Sequence, residues 1–300
     1  MVDDEAPDAA TDALPAGALV ERLGDGWGYY IRSTRCLERR RTPHQAIEVH
    51  DSVAFGRLYR LDGHFMTSEA DEFFYHENLV HLAAIAHPAP RRALIVGGGD
   101  GGSAEELLKH PTIEDVTLCE IDAAVIELSR RYLGSVHRGS LDDRRVTVRV
   151  GDGFAYMRSG SDLFDLIVLD LTDPGGPSLP LYTVDFYRSC ARRLAPGGAM
   201  TLHVANPVAY PERVRHCLGR LHAAFPSVTP YLTSVPLYGG LWMMACVSAG
   251  LDPAARSAAE VDQRLAERGI IDLKYYNGDM HCAALALPNF VRELLPSAKR

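Results

Sequence analysis

The stretch "RALIVGGGDGGSAEELLKH", residues 92–110, sets the architecture of the chain. Its apolar run ends in Gly97-Gly98-Gly99-Asp100-Gly101-Gly102 and passes directly into a helix-forming segment. A strand, a glycine turn and a helix in that order open a doubly wound α/β sheet. The glycines let backbone and ligand approach closely at a helix N-terminus, where anionic groups usually bind. An aspartate at position 100 opposes that habit, so the group received here must differ from the usual anion.

Downstream of this turn, "DVTLCEID", "VTVRVGD", "FDLIVLDL", "GAMTLHV" and "WMMACVSA" read as further strands, most of them separated by helical stretches. Continuous apolar strands alternating with helices indicate a mostly parallel sheet covered on both faces. The fold class is therefore α/β: a Rossmann-like, doubly wound, mostly parallel sheet, spanning residues 68–300. Upstream, "QAIEVHDS" and "GRLYRLDGHFMT" carry β-branched or alternating residues broken by Gly and Asp. These predict a small N-terminal antiparallel β domain over residues 18–67. Ser68 then precedes "EADEFFYHENLVHLAAIAH", whose apolar spacing through Phe73, Leu79, Leu82 and Ile85 predicts a Ser-capped amphipathic helix ended by "PAPRR".

Charge narrows the partners. Of the net charge of −8, six negative charges lie within residues 1–21, which contain no Lys or Arg; removing them leaves −2 for the remaining body. The folded body lacks the electrostatic footprint of a nucleic-acid binder, and the single basic run Arg39-Arg40-Arg41 reads as a solvated turn. Residues 1–17 read as a disordered acidic tail. No apolar run reaches the ~20 residues that span a bilayer, so no membrane partner is expected. The N-terminus is acidic and Ala/Pro-rich, unlike a secretion signal, and points to the cytoplasm. Six cysteines, Cys36, Cys119, Cys190, Cys217, Cys246 and Cys282, form no C-x-x-C pair and read as buried thiols, with no metal site among them.

Ligands of open α/β sheets sit beyond the carboxyl ends of the strands. The first strand ends in the glycine run. The second ends in Glu120, 18 residues beyond Gly102, where a carboxylate can accept hydrogen bonds from both ribose hydroxyls. The third ends in "VGDGF", which places Asp152 where it can read the exocyclic amine and ring edge of an adenine. The fourth ends in "LDLTDPGGP", with Asp170 and Asp173 three residues apart on a proline-stiffened loop. A pocket holding Asp100, Asp170 and Asp173 beyond the nucleoside needs a cationic ligand, because burying uncompensated carboxylates is costly. Ordinary S-adenosylmethionine and NAD would each bring negative charge towards Asp100. A sulfonium nucleoside carrying an ammonium but no carboxylate fits, as does a polyamine.

The ordered set "LDGHFMTSEADEFFYHE", "VGGGDGG", "CEID", "VGDGF", "DLTDPGGP", "VPLYGG" and "LKYYNGDMHCAALALPNFV" resembles the polyamine aminopropyltransferases, the spermidine synthase family, from about Trp27 to Leu295. The resemblance implies a sheet of the class I methyltransferase type and a reaction in which decarboxylated S-adenosylmethionine gives its aminopropyl group to an amine, releasing methylthioadenosine. It implies no cofactor beyond that co-substrate, and a homodimer. By matching motifs it assigns Gln45 and Glu120 to the ribose and Asp152 and Gly153 to the adenine, with Gly97 and Gly99 in the donor loop. Asp100 and Asp170 would bind the donor's ammonium, making Asp100 a selector against ordinary S-adenosylmethionine.

The sulfonium already makes the adjacent methylene electrophilic, so catalysis must deliver a neutral amine in line with the departing sulfur. Such an amine has a pKa near ~10 and arrives protonated. Asp170 is the best base, with Tyr75 and His76 positioning the nitrogen and Asp173 and Tyr238 holding the acceptor further along. Core packing of their helix is the alternative reading, stronger for His76 than for Tyr75. The chain departs from the family's common pattern on this acceptor side. Leu171-Thr172 replace a Ser-Ser pair inside the loop, His203 stands where a glutamine often ends the next strand, and Met66 replaces another glutamine. The loop and the following "LYT" resemble the thermospermine synthase branch, whereas "GGGDGG" is closer to spermidine synthases. Three other readings share parts of the pattern: an S-adenosylmethionine methyltransferase, a nicotinamide dehydrogenase and a non-catalytic polyamine-binding homologue.

Overall fold

The computed structural model describes residues 13–24 and 26–296. The part of the expected acidic tail over residues 1–12 lies outside them. Pro15 and Gly17 are already tied to the first sheet, through Ala18 N to Pro15 O (3.0 Å) and Ser33 N to Gly17 O (2.9 Å).

That sheet is a five-stranded antiparallel meander: β1 (Ala18–Leu23), β2 (Trp27–Arg41), β3 (Ala46–Ser52), β4 (Gly56–Leu61) and β5 (His64–Ser68). Asp62 and Gly63 turn β4 into β5 with positive φ at both positions (48° and 86°), the backbone that Asp-Gly favours in a two-residue hairpin. Arg39, Arg40 and Arg41 correct the solvated-turn expectation. They end β2, and Arg39 pairs with Glu48 (3.1 Å) while Arg40 reaches Glu127 (2.8 Å).

Helix α1 (Glu72–Ala86) leads into the second sheet. It is buried on nearly every side rather than amphipathic, because α2 (Gly102–Leu108), α8 (Ala258–Glu267) and two strands of the second sheet, β10 (Leu194–Ala205) and β11 (Ser227–Val235), surround it. Ser68 does not cap it. Its hydroxyl donates to Asp71, the residue preceding the helix, and the Asp71 carboxylate accepts from Leu237 N (2.7 Å).

The second sheet has the order β11-β12-β10-β9-β6-β7-β8, with β6 (Arg92–Gly97), β7 (Asp115–Glu120), β8 (Val146–Val150), β9 (Phe164–Asp170) and β12 (Gly240–Ser248). β8, β7, β6, β9 and β10 run parallel; β12 runs antiparallel to both of its neighbours, β10 and β11. The sequence pattern missed β11 because it contains Pro230, which breaks a strand signal. Here the strand lies at the sheet edge, where a missing N–H is tolerated. Around the sheet lie α3 (Ala123–Tyr132), single-turn α4 (Gly134–His137), α5 (Gly153–Ser159), α6 (Val184–Arg193), α7 (Pro211–His222), α9 (Gly278–Leu285) and single-turn α10 (Asn289–Arg292).

Two features position the site. The chain builds β6, β7 and β8 outward and then returns to place β9 on the other side of β6, so a crevice opens between the β6 and β9 ends. Gly97 and Asp170 are register partners across that crevice. The first sheet also docks on α3, where Ile47, Val49, Tyr59 and Leu61 bury against Val125 and Leu128. Of the cysteines, Cys119, Cys190, Cys217 and Cys246 are buried as expected, but Cys36 and Cys282 are exposed; none is disulfide-bonded.

Gly97 has φ of +81°, and a Cβ there would lie 2.1 Å from the Asp170 carbonyl oxygen, so the glycine is required by both conformation and space. Gly134 meets nothing within 4 Å. Urea denaturation is expected to show Gly97→Ala losing about 3 kcal/mol or more, while Gly134→Ala changes stability by less than about 1 kcal/mol. Equal losses in the two variants would contradict this account of the turn.

Candidate active site

All the strand-end residues singled out from the sequence converge on the switch-point crevice. A cavity of about 120 Å³ is lined by Gln45, Tyr75, His76, Gly97, Gly99, Asp100, Glu120, Asp152, Gly153, Asp170 and Tyr238. A second cavity of about 360 Å³ adjoins it and is lined by Asp173 and His203. The two share Gln45, Leu61, Met66, Leu171, Thr172, Pro177 and Tyr238, so the departures at Met66, Leu171 and Thr172 sit where the cavities meet, while His203 lines only the second.

At the β7 end of the crevice, Glu120 ends its strand almost fully buried, and its Oε1 accepts from Asp122 N (2.9 Å). Burial pushes its carboxyl up to about 7, against the pull of the Asp122 and Gly99 amides. Gln45 reaches the same place from the other sheet and donates to Asp122 Oδ2 (3.2 Å), which also receives Thr42 Oγ1 (2.7 Å). Asp152 is exposed and caps α5, accepting from Phe154 N (2.8 Å).

The centre is a buried charge cluster. His76 on α1 is 2 % exposed; its Nδ1 lies 2.9 Å from Glu72 Oε2, and its Nε2 lies 3.4 Å from Asp100 Oδ2 and 3.9 Å from Asp170 Oδ2. Burial alone would strip the ring of its proton. Asp100, Glu72 and Asp170 outweigh that cost and hold its pKa well above the usual histidine range. The imidazolium in turn outweighs burial at Asp100 and lowers that carboxyl. Asp170 moves the other way: burial and the neighbouring Asp100 raise it, although it accepts from Ser103 Oγ (2.7 Å). One ligand atom from each of His76, Asp100 and Asp170 falls within 4.8 Å of the others.

The Tyr75 hydroxyl lies 3.1 Å from His203 Nδ1, and burial with Asp170 nearby keeps the phenol protonated. His203 Nε2 lies 2.9 Å from the Tyr182 hydroxyl and 3.5 Å from Asp173 Oδ1. Asp173 Oδ2 is held by Arg213 at the start of α7. Burial works to raise the Asp173 carboxyl, but His203 and Arg213 hold it below the usual range. Tyr238 donates to the Met66 carbonyl, which fixes its ring at the junction.

Four residues around the site were missed from sequence. Glu72 had a legible signal, since it lies one helical turn before His76. Ser103, the first side chain after the glycine run, had a weaker one. Tyr182 lay in the "LYT" stretch without an assigned role, and Arg213 had no signal, because only the folded chain brings them to His203 and Asp173.

Because the His76 pKa is raised, the folded state binds that proton more tightly than the unfolded chain does. The stability this contributes is fully present below about pH 6.5 and is lost as pH rises through the folded value. ¹⁵N spectra at about pH 7.5 are expected to show both His76 nitrogens protonated. A neutral ring at that pH would contradict the charge assignment.

Residues 72–255 match the Spermine/spermidine synthase domain. A polyamine aminopropyltransferase of Nitrosomonas europaea is 51% identical over 276 residues, covering 92% of this chain and 85% of that one. Another, from Moorella thermoacetica, is 41% identical over 88% of this chain and 91% of its own length. A crystal structure of spermidine synthase in complex with the transition state analogue AdoDATO superposes with a TM-score of 0.87 at 34% identity, covering 93% and 94% of the two chains. The spermidine synthase of Thermotoga maritima gives 0.84 at 33% identity, with 93% of each chain covered. With the domain match, these identities and the shared fold joined to the converging strand-end residues, the chain belongs to the spermine/spermidine synthase family.

Proposed function

We propose that Asp170 is the base of an aminopropyl transfer carried out in this crevice. Membership of the family makes the chain an aminopropyltransferase, with decarboxylated S-adenosylmethionine as donor and an amine as acceptor. The methyltransferase and dehydrogenase readings fall with that result. The observation that carries the residue assignment is the arrangement of Asp100 and Asp170 at the switch point, two buried carboxylates that share one imidazolium. That leaves negative charge for an incoming ammonium.

In the proposed reaction the acceptor's ammonium gives a proton to Asp170, whose burial-raised carboxyl suits it to take one. The freed lone pair attacks the methylene beside the sulfonium. A carbon–nitrogen bond forms as the carbon–sulfur bond breaks, and its electron pair stays on sulfur as neutral methylthioadenosine. Tyr75 and His76 orient the nitrogen. Glu120 and Gln45 hold the ribose, while Asp152 and Gly153 face the adenine. Gly97 and Gly99 leave room for the donor, and Asp100 receives its ammonium. Asp173, Tyr238 and His203 line the path of the acceptor's far end, which putrescine or a related amine would occupy. No cofactor beyond the donor is needed for this step.

A cytoplasmic homodimer belongs to the same proposal. Among the described residues no helix is long and apolar enough to cross a membrane. Val20 on β1 and its register partner Tyr30 (47 %) on β2 are exposed side by side, an apolar pair that a second copy would cover.

Asp170→Asn is expected to lower kcat at least about 100-fold. Methylthioadenosine should still raise its melting temperature as it does for the parent protein. Loss of that thermal shift would show that Asp170 serves the nucleoside instead. For Glu120, accepting two ribose hydroxyls favours the carboxylate, so nucleoside binding lowers its pKa from about 7. Calorimetry should therefore find methylthioadenosine bound roughly tenfold more tightly at about pH 8 than at about pH 6, with the dependence lost in Glu120→Gln. Affinity that is flat or falling across that range would refute the ribose assignment.

A further inference from the structure

We infer that Arg213 is a specificity-determining residue that weakens the enzyme's hold on a second cation at the far end of its acceptor. The inference rests on the reading of Asp173 as the carboxylate facing that end.

The two ends of the acceptor path are compensated very differently. At the reacting end, Asp170 receives a hydroxyl from Ser103 and only a distant share of His76, at 3.9 Å. At the far end, both oxygens of Asp173 already face donors, Oδ1 towards His203 Nε2 and Oδ2 towards the Arg213 guanidinium. Glu21, a buried carboxylate lining the same cavity, is likewise engaged by His64 (2.7 Å) and by Phe65 N (2.9 Å). Asp62, at the exposed rim, accepts from Ala46 N (2.8 Å). An arriving ammonium therefore meets a resident guanidinium rather than a free carboxylate.

Arg213 is not placed there to stabilise its own helix. It is the third residue of α7, where the helix dipole disfavours a cation. Its guanidinium nevertheless stacks over the Tyr210 ring at 4.2 Å and points at Asp173. Stacking and pairing together fix the charge in the cavity wall. Because a bound second ammonium must share Asp173 with this cation, it gains little. The near end then decides binding, and the enzyme admits primary amines whose far end need not be charged.

The test measures kcat/KM for 1,4-diaminobutane and for 1-aminobutane in the full chain, in Arg213→Met and in Asp173→Asn. Methionine keeps the packing against Tyr210 but removes the charge, and Arg213→Lys restores it. The diamine-to-monoamine ratio should rise roughly five- to tenfold in Arg213→Met and return towards the parent value in Arg213→Lys. It should fall in Asp173→Asn, where Arg213 faces the diamine unopposed. A ratio that falls in both Arg213→Met and Asp173→Asn would make Arg213 a support for Asp173 and overturn the inference alone. A ratio unchanged in both would remove the acceptor from Asp173 and overturn the reading beneath it as well.

Discussion

The hydrogen bond from Gly98 N to the Asp170 carbonyl, 2.8 Å long, closes the ladder between β6 and β9 just where the chain reverses its direction of sheet building. It joins the glycine run to the acidic loop. With that register fixed, Asp100 emerges from one side of the crevice and Asp170 from the other, and α1 delivers His76 between them. A slip of one residue in the β6–β9 pairing would turn the side chains to the opposite face of the sheet and separate the two carboxylates. The positive φ of Gly97 is the local conformation on which this junction depends.

Around that junction the protein keeps charge in deliberate imbalance. Glu72, Asp100 and Asp170 surround one imidazolium, so negative charge outweighs positive around His76. Farther out, Arg213 and Arg138 supply the opposite sign, the latter reaching Glu72 at 3.3 Å behind His76. The carboxylates of the two cavities thus differ in proton affinity according to their burial and their neighbours. Asp170 and Glu120 are raised, whereas Asp100 and Asp173 are lowered. The division separates a group suited to taking a proton from groups suited to staying charged.

Not every residue of a chemically suggestive motif serves the chemistry. Glu77 follows Tyr75 and His76 in the "YHE" triplet, yet its carboxylate points away from the crevice and accepts the backbone amides of Lys274, Tyr275 and Tyr276 at 2.8–2.9 Å. It fastens the C-terminal segment to α1. Tyr276 and His281 of that segment are likewise bonded to each other and, through His281 Nε2, to the Pro253 carbonyl (2.9 Å). Sequence proximity placed Glu77 beside the catalytic candidates, but the helical rotation of 100° per residue sends it to another face.

Local pattern alone establishes the alternation of strands and helices, because apolar periodicity is a property that each segment carries on its own. It also establishes which residues end the strands, and the sheet rule then gathers those ends, so Asp100, Glu120, Asp152 and Asp170 are legible in the order of residues along the chain. The same pattern misjudges the amphipathicity of α1 and the Arg39–Arg41 run, since burial and pairing depend on what the rest of the chain brings alongside. The second cavity, by contrast, takes shape only on folding. Tyr75 meets His203 across 128 residues of sequence, and Arg213 meets Asp173 across 40. No periodicity or motif spacing encodes those meetings; they follow from the crossovers that set β9, β10 and α7 side by side, and with them the charge that each carboxylate carries.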